Sequence, residues 1–468
     1  MNIKRFIIND LFGSQNVDIT FEANTKILIG DNGLGKTTVL NAMYFLLSKK
    51  FDRLNKINFS TIELHLDNKK KIVIKKDELN FFVQRPRNQS GRSHLYTILT
   101  DKATKQNISD LKTIVDSKIP EQQKRLRLLS ALRHFGLNFN APSSFIYETV
   151  IKFLNEYEAN GFLKTIAEID ATVDGKILYF PTYRRIEEDL KNIGFLPKRE
   201  ILEKYSHFLD EEDMDDISKR TLDDDVIQFG MTDVEERIKS LTQEITRSSV
   251  IGFSEITGEM LHQLLTNFPD TKTNNAAKLD VEKIQTILHR VGPNISQDDK
   301  DKIIAIIKTG KSTSANLGLI YFINKLIELY NKQEVLDISI KSFVDTCNGY
   351  LNGKKYIYNE REVSLKITRN GSTEEEVHLN QLSSGEKQIV SLFSKIYLEQ
   401  DSNFIVLFDE PELSLSVFWQ MKLLPDILNS GKCKFLFAVT HSPFIYDNDL
   451  AINAVGLNEY IFMNKIKK

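Results

Sequence analysis

The sequence has few cysteines and no long apolar run, and each shortage excludes a class of protein. Cys347 and Cys433 are the only two cysteines among 468 residues, too few for a disulfide framework or a thiolate metal site. No segment approaches the roughly 18 uncharged apolar residues that a membrane-spanning helix needs, and the N-terminal MNIKRFIIND lacks the apolar segment of a signal peptide. We therefore expect a cytoplasmic protein in a reducing compartment, with no membrane partner.

An excess of charge of either sign is also absent. The chain carries 62 Lys and Arg against 64 Asp and Glu, a formal charge of −2, so any contact with nucleic acid requires a local basic patch. Hydrophobic residues make up 41% and charged residues 27%, which is typical of globular proteins and excludes a disordered or fibrous chain. At roughly 150 residues per domain, the length corresponds to about three domains' worth of chain.

The spacing of apolar residues predicts an α/β class. Alternation over Val17–Phe21 predicts a half-buried strand, and the continuous run Ile27–Ile29 predicts a buried strand that is followed by a helix over Lys36–Lys49. Strand-like hairpins follow, the last of them at Asn80–Gln84. From Glu187 to about Lys341 the chain is predicted to be mostly helical, without the sustained heptads of a coiled-coil arm.

A phosphate-binding loop lies between the buried strand and this helix. Residues 30–37 read GDNGLGKT and match G-x4-GK[ST] completely. Glycines let successive backbone N–H groups point at phosphate oxygens, and the helix N-terminus adds its positive end. Lys36 can reach the β- and γ-phosphates, Thr37 can hold Mg²⁺, and Thr38 can donate to the α-phosphate. The predicted cofactor-binding residues here are Asn32, Gly33, Gly35, Lys36, Thr37 and Thr38.

Three further motifs follow in the last hundred residues. Leu382–Gln388 reads LSSGEKQ and, taken alone, fits an ordinary helix start with Ser383 or Ser384 as the N-cap. The apolar run Phe404–Phe408 ends in Asp409 and Glu410, a carboxylate pair that suits phosphoryl transfer, with Asp409 on the metal and Glu410 as the base.

Another apolar run, Phe435–Val439, leads into Thr440 and His441. A lone histidine is usually structural, and an acidic pair is a common loop start. At the end of a third strand, after a phosphate loop and an acidic pair, His441 is a candidate sensor of the γ-phosphate. The predicted catalytic residues are therefore Lys36, Glu410 and His441.

In this order the motifs GDNGLGKTT, LSSGEKQ, FIVLFDEPELSLS and AVTHS resemble the ABC-type ATPase heads of the SMC and RecF group. The resemblance implies an α/β head, with a mixed sheet lobe plus a P-loop core, over residues 1–186 and 345–468. A helical insert over 187–344 would serve oligomerisation or a partner. ATP and Mg²⁺ are the implied cofactors. Ser383 and Gly385 would complete the nucleotide site of a second protomer, which implies a dimer or higher homo-oligomer. The Q-loop glutamine of that family is not located, and Gln84 and Gln123 both stay open.

Two other segments carry a closer resemblance. Ile177–Glu187 (ILYFPTYRRIE) and Gln228–Glu235 (QFGMTDVE) resemble the ATPase subunits of bacterial anti-phage systems, the PtuA group of Septu systems and its retron-associated relatives. This resemblance implies a subunit that recruits and regulates a separately encoded, PtuB-like HNH endonuclease. Arg184 and Arg185 follow a predicted strand. Contact with nucleotide, transmission of its state to the helical region, and plain surface charge are all open for them.

We expect no nuclease site on this chain. Only 27 residues follow His441, whereas a Toprim domain needs on the order of 100 residues. In the insert, Glu282 stands where a PD-(D/E)xK nuclease site needs lysine. The histidines of the insert are His207, His262 and His289, and the residues around them do not have the spacing of an HNH motif or of zinc ligands.

Two other functions stay open at this point. One is a RecF-like DNA-repair ATPase that acts on DNA itself, and the other is a nucleotide-gated scaffold with negligible hydrolysis. The basic segments Lys69–Lys71, Arg85–Arg92 and Lys124–Arg127 are candidate DNA contacts, although charge runs are usually solvated turns.

Overall fold

The computed structural model describes residues 3–31, 33–67, 70–83, 105–117, 119–135, 142–159, 161–181, 231–266, 281–292, 295–309, 317–369, 375–399 and 403–463, together with Leu95, Leu99 and Asp401. The chain packs into two compact units, Met1–Ile227 with Asp401–Lys468, and Gln228–Gln400. Residues 345–400, which the sequence assigns to the head, are grouped here with the helices of the second unit. The boundaries predicted from the sequence, residues 1–186 and 345–468 for the head and 187–344 for the insert, were placed by the order of the motifs along the chain. They stay a prediction.

The strands are, in chain order, β1 (Ile3–Leu11), β2 (Gln15–Thr20), β3 (Thr25–Ile29), β4 (Thr61–Leu66), β5 (Lys71–Lys75), β6 (Lys176–Phe180), β7 (Lys354–Asn359), β8 (Ser364–Arg369), β9 (Phe404–Asp409), β10 (Cys433–Thr440), β11 (Ala454–Gly456) and β12 (Ile461–Met463). The helices are α1 (Lys36–Leu47), α2 (Phe51–Lys56), α3 (Lys76–Val83), α4 (Lys105–Asp116), α5 (Glu121–His134), α6 (Ser143–Ala159), α7 (Gly161–Thr172), α8 (Met231–Thr266), α9 (Val281–Arg290), α10 (Gln297–Thr309), α11 (Leu317–Asn348), α12 (Ser384–Leu398) and α13 (Val417–Asn429).

Two five-stranded sheets form the first unit. In one, the strand order is β11-β3-β10-β9-β6 and every pairing is parallel. In the other, the order is β12-β2-β1-β4-β5 and every pairing is antiparallel. Strand β9 is buried along its whole length, as expected of a central parallel strand that is covered on both faces. The mixed α/β class predicted from the sequence is confirmed.

One predicted strand is wrong. Asn80–Gln84 was expected to be extended, but residues up to Val83 belong to helix α3, and Gln84 lies outside the described residues. The helix begins directly after β5, with Asp77 in its first turn, where an acidic side chain is favourable. It packs Leu79, Phe82 and Val83 against the core of the first unit. Phe82 and Val83 lie three and four residues after Leu79, so helical periodicity outweighs the aromatic, strand-like composition.

The second unit consists of helices and the β7–β8 hairpin. Its apolar core is formed by Ile256, Ile284, Ile287, Leu288, Ile323, Leu326, Leu329 and Tyr330. Helices α8 and α11 approach closely at Gly252, where an added Cβ would lie 2.4 Å from Leu329 Cδ1. None of the helices described is long and apolar enough to cross a bilayer.

A buried ion pair ties this unit together. The guanidinium of Arg290 donates to Asp337 Oδ1 at 2.7 Å, to Gln333 Oε1 at 2.9 Å and to the carbonyl of Glu360 at 3.0 Å. Tyr358 Oη donates to the same oxygen of Asp337 at 2.6 Å. The side chains of Arg290 and Asp337 are 0% and 1% exposed, so these hydrogen bonds replace part of the hydration that both charges lose on burial. Oδ2 of Asp337 is buried without a hydrogen-bond partner among the described residues.

Candidate functional site

The predicted residues of the first unit meet where three neighbouring parallel strands end. Ile29 at the end of β3 lies opposite Thr440 of β10, and Val439 lies opposite Asp409 at the end of β9. The phosphate loop, the acidic pair and His441 each follow one of these strands. Their side chains therefore converge at the carboxyl edge of the sheet, which is the usual position of a ligand site in a parallel α/β fold.

The phosphate loop has the backbone that its glycines predict. Gly33 and Gly35 adopt φ values of +86° and +88°, a left-handed region that favours glycine. Helix α1 begins at Lys36, and no side chain caps its start at Gly35. The N–H groups of its first turn lack intrahelical acceptors and suit an anion. Asn32 lies outside the described residues.

Lys36 is held by three acceptors. Its Nζ donates to the carbonyls of Gly30 at 2.6 Å and Asp31 at 3.0 Å, and lies 2.8 Å from Nε2 of His441. Because an ammonium group only donates, Nε2 of His441 accepts this bond and the ring proton resides on Nδ1. Burial lowers the pKa of Lys36, although nearby carboxylates, first Glu410, act in the opposite direction.

Thr37 and Asp409, the two predicted metal ligands, place their side-chain oxygens next to each other. Thr37 Oγ1 donates to Asp409 Oδ1 at 3.1 Å, and Asp409 is only 2% exposed. Adjacent ligands of an octahedral Mg²⁺, each at about 2.1 Å, are about 3.0 Å apart, so this pair fits the metal. Among the described residues no group of three or more His, Cys, Asp or Glu side chains forms a self-sufficient metal site.

Glu410 has a strained backbone and a perturbed carboxyl group. Its φ is +50°, and its N–H donates to the carbonyl of Val439 at 2.9 Å. Oε1 lies 3.6 Å from Nε2 of His441. Burial, and then the charges of Asp409 and Glu412, raise the pKa of Glu410 above its ordinary value. Left-handed backbone at a non-glycine residue costs free energy that functional sites often tolerate, and a raised pKa makes a carboxylate a better base.

Glu412 is a residue that the sequence reading missed. Its carboxylate accepts the backbone N–H groups of His441 at 2.8 Å and Ser442 at 3.1 Å, and the hydroxyl of Thr440 at 2.8 Å. These bonds fix the turn that carries the imidazole of His441. The available signal was the second glutamate of the Asp-Glu-Pro-Glu sequence, which stands only two residues after Glu410.

The signature residues lie in the second unit. Ser383 is the N-cap of α12 in a reciprocal capping box with Glu386, in which Glu386 Oε2 accepts Ser383 N–H at 2.7 Å and Ser383 Oγ accepts Glu386 N–H at 3.4 Å. The ordinary N-cap expected of this segment is therefore present, at Ser383 rather than Ser384. Gly385 is buried in the first turn. The roles of Ser383 and Gly385 toward a nucleotide stay predictions.

Most of the remaining candidates fall in parts of the chain that the structure does not describe. Arg184, Arg185, Gln84, His207 and the segment 85–92 lie outside the described residues. Gln123 is exposed on α5. In the basic run of that helix, Lys124 donates to the carbonyl of Val115 and Arg125 pairs with Glu121, so two of its charges are already engaged.

Comparisons with known proteins identify the family. A family model described as an AAA ATPase domain (AAA_15) matches residues 1–446. A segment of 53 residues, 11% of this chain, is 38% identical to the DNA replication and repair protein RecF of Halalkalibacterium halodurans. The match spans only 14% of that protein's length.

Two solved structures are similar at low scores. One is the Smc head domain with an extended coiled coil bound to the C-terminal domain of ScpA, from Pyrococcus furiosus. Its TM-score is 0.34 and its sequence identity 13%, and the match covers 100% of this chain and 97% of that chain. The other is the SmcHead bound to the C-winged helix domain of ScpA, with a TM-score of 0.34 and 11% identity over 100% and 98% of the two chains. Scores of this size support no conclusion about function. The family model covers well over half of the sequence, and this chain belongs to the AAA ATPase domain family.

Proposed function

We propose that this chain binds ATP with Mg²⁺ at the phosphate loop and hydrolyses it. The observation that carries the proposal is the convergence of five chemically matched side chains at the ends of β3, β9 and β10. They are Lys36, Thr37, Asp409, Glu410 and His441. Phosphoryl transfer requires positioning and charge neutralisation more than covalent chemistry, and these side chains supply both.

Each side chain has a distinct role in the proposal. Lys36 exchanges its carbonyl acceptors for β- and γ-phosphate oxygens, which releases Nε2 of His441. With its ring proton on Nε2 instead of Nδ1, the imidazole then donates a hydrogen bond to the γ-phosphate. Thr37 and Asp409 hold Mg²⁺, which neutralises phosphate charge. Glu410 orients a water molecule and removes its proton, a task favoured by its raised pKa. Thr38 and the loop N–H groups bind the remaining oxygens.

The site is completed by a second copy of the chain. Ser383 is exposed at the start of α12, and its hydroxyl accepts a hydrogen bond from Glu386 N–H. The hydroxyl proton is thereby left for donation to a phosphate oxygen. Gly385 has no side chain that could obstruct a phosphate beside the Ser383 hydroxyl. We infer that Ser383 and Gly385 of one protomer contact the triphosphate bound by its partner, in a dimer or a higher homo-oligomer.

Glu410→Gln tests the proposed chemistry. The variant retains the shape of the site but loses the base, so we expect Mg²⁺-dependent ATP binding to persist while phosphate release falls by about 100-fold or more. Glu22→Gln, an exposed glutamate in the turn before β3, is the matched control and should leave both measurements unchanged. Failure of the unaltered protein to bind ATP contradicts the proposal. Unchanged turnover in Glu410→Gln removes Glu410 from it.

We propose a role in anti-phage defence, in which the ATPase recruits and regulates a separately encoded HNH endonuclease in the cytoplasm. The resemblance of residues 177–187 and 228–235 to the PtuA group supports this role, and the free thiols of Cys347 and Cys433 suit a reducing compartment.

Co-expression with the neighbouring open reading frame tests the role. ATP-dependent co-purification with an HNH protein, and phage resistance that Glu410→Gln abolishes, are the expected results. DNA-stimulated turnover without any partner would favour a RecF-like repair ATPase instead. Full resistance with Glu410→Gln would favour a nucleotide-gated scaffold.

A further inference from the structure

The β7–β8 hairpin reaches the start of the signature helix within the second unit. Lys354 is the first residue of β7, and its Nζ donates to Oε2 of Glu386 at 2.7 Å. The same oxygen accepts the backbone N–H of Ser383 at 2.7 Å. The side chains of Lys354 and Glu386 are 22% and 7% exposed, so solvent screens this ion pair much less than a surface pair.

Lys354 projects from a strand that is itself fixed. Asn348, at the end of α11, accepts the N–H of Tyr356 at 2.7 Å and donates to its carbonyl at 3.0 Å. The buried ring of Tyr356 packs edge-on against Phe343, with 5.2 Å between the ring centroids. The strand therefore restricts where the ammonium group of Lys354 can lie.

The orientation of Ser383 depends mainly on the carboxylate of Glu386. The bond from Glu386 N–H to Ser383 Oγ is long, at 3.4 Å, whereas the bond from Ser383 N–H to the carboxylate is short and charge-assisted. Burial alone would raise the pKa of Glu386, but the hydrogen bonds from Lys354 and Ser383 outweigh it and hold the pKa below its ordinary value. Lys354 thus favours the ionised form of the carboxylate and shares its Oε2 with the Ser383 N–H.

We propose that Lys354 is a positioning residue for the composite nucleotide site. It holds the carboxylate of Glu386 against the Ser383 N–H, and this fixes the exposed hydroxyl of Ser383 in the orientation that meets a triphosphate on a second copy of the chain. Lys354 itself does not touch the nucleotide. The inference rests on the proposed function, and it adds a determinant that none of the phosphate-binding motifs contains.

Lys354→Met in a Glu410→Gln background tests the inference. The readout is ATP-dependent self-association, measured by analytical ultracentrifugation. Loss of one shielded, charge-assisted bond is expected to weaken each composite site about tenfold. A two-fold dimer contains the contact twice, so the association constant should fall about 100-fold.

Lys355 provides the matched control, because successive side chains of a strand point to opposite faces and Lys355 is exposed. Lys355→Met should change self-association less than about twofold, and Lys354→Arg should restore most of the loss because it keeps both the charge and the donors. ATP binding by the dilute Lys354→Met protomer should match that of the Lys355→Met control. Its melting temperature should be lower than that of the control, because Glu386 loses the cation that holds its pKa down, and Lys354→Arg should restore it.

The outcomes separate the two proposals. If Glu410→Gln alone associates with ATP and Lys354→Met associates equally well, the role of Lys354 is overturned and the composite site stands. The positioning role is also overturned if Lys354→Arg does not restore self-association although the melting temperature of this variant equals that of the unaltered Lys354 protein. If Glu410→Gln fails to associate with ATP, the composite site is overturned together with the inference.

Discussion

Glu412→Ala is expected to lower the rate of ATP hydrolysis strongly and to leave the affinity for nucleotide almost unchanged. The substitution removes the acceptor of three hydrogen bonds, which come from His441 N, Ser442 N and the hydroxyl of Thr440. Water can replace the carboxylate at the exposed His441. It cannot do so at Thr440, which is 0% exposed.

The magnitude follows from these contacts. Hydrogen bonds to a charged acceptor contribute about 1.5–3 kcal/mol each, and partial replacement by water leaves a net loss of about 3 kcal/mol in holding the turn. If hydrolysis requires His441 in its present position, a loss of about 3 kcal/mol lowers the rate by about 100-fold. Glu412→Gln keeps one oxygen for the two backbone N–H groups, and we expect a loss of about tenfold at most.

Single-turnover hydrolysis and equilibrium binding of a fluorescent ATP analogue separate the two effects. The dissociation constant should change less than about threefold. In the described structure Glu412 accepts no hydrogen bond from Lys36 or Thr37, and its charge acts on Lys36 less than those of Glu410, Asp409 and Asp31 do. The exposed Glu22, changed to Ala, is the control for removing a glutamate from this unit. A rate for Glu412→Ala within about threefold of the unaltered protein would refute the reasoning, as would an equal loss in binding.

Three further predictions concern stability and the phosphate loop. Glu410→Gln should raise the melting temperature of the nucleotide-free protein at neutral pH, because the pKa of Glu410 is raised in the folded state and its ionisation therefore destabilises the fold. The increase should be full above that raised pKa and should vanish below the ordinary glutamate pKa. Scanning fluorimetry across about pH 4 to 8 measures this dependence. Arg290→Met leaves the buried Asp337 without its cation and should lower the free energy of unfolding in urea by about 3 kcal/mol. Gly35→Ala should raise the dissociation constant of ATP about tenfold more than Gly33→Ala does. A Cβ at Gly35 would lie 3.2 Å from the ring of Phe12, whereas a Cβ at Gly33 would meet nothing within 4 Å.

The sequence was sufficient to predict the α/β class and the convergence of the phosphate loop with the acidic pair. Both follow from local rules. A continuous apolar run predicts a buried parallel strand, and the carboxyl ends of such strands meet at one edge. The geometry at Gly33 and Gly35 likewise follows from the motif, because only glycine adopts that backbone without strain.

Features that depend on tertiary contacts were not predictable. Helix α3 replaced an expected strand because its apolar side chains fit the core of the first unit. Glu412 carries no motif of its own, and its role appears only when β9 and β10 place it beside the backbone of His441. Lys354 and Glu386 are 32 residues apart in sequence, and no periodicity relates them. The buried pair of Arg290 and Asp337 is equally invisible, since a charged residue on a helix is ordinarily expected to face solvent.

The central claim is that each triphosphate is held by two copies of the chain, and mixing two inactive variants tests it most directly. Lys36→Ala removes the phosphate-loop lysine and Ser383→Ala removes the signature hydroxyl, so each should hydrolyse ATP poorly alone. In a mixed dimer one of the two sites combines an intact loop with an intact signature. An equimolar mixture, in which about half of the dimers are mixed, should therefore recover about a quarter of the unaltered rate. A mixture that recovers nothing, although both variants are folded and associate, would contradict the claim.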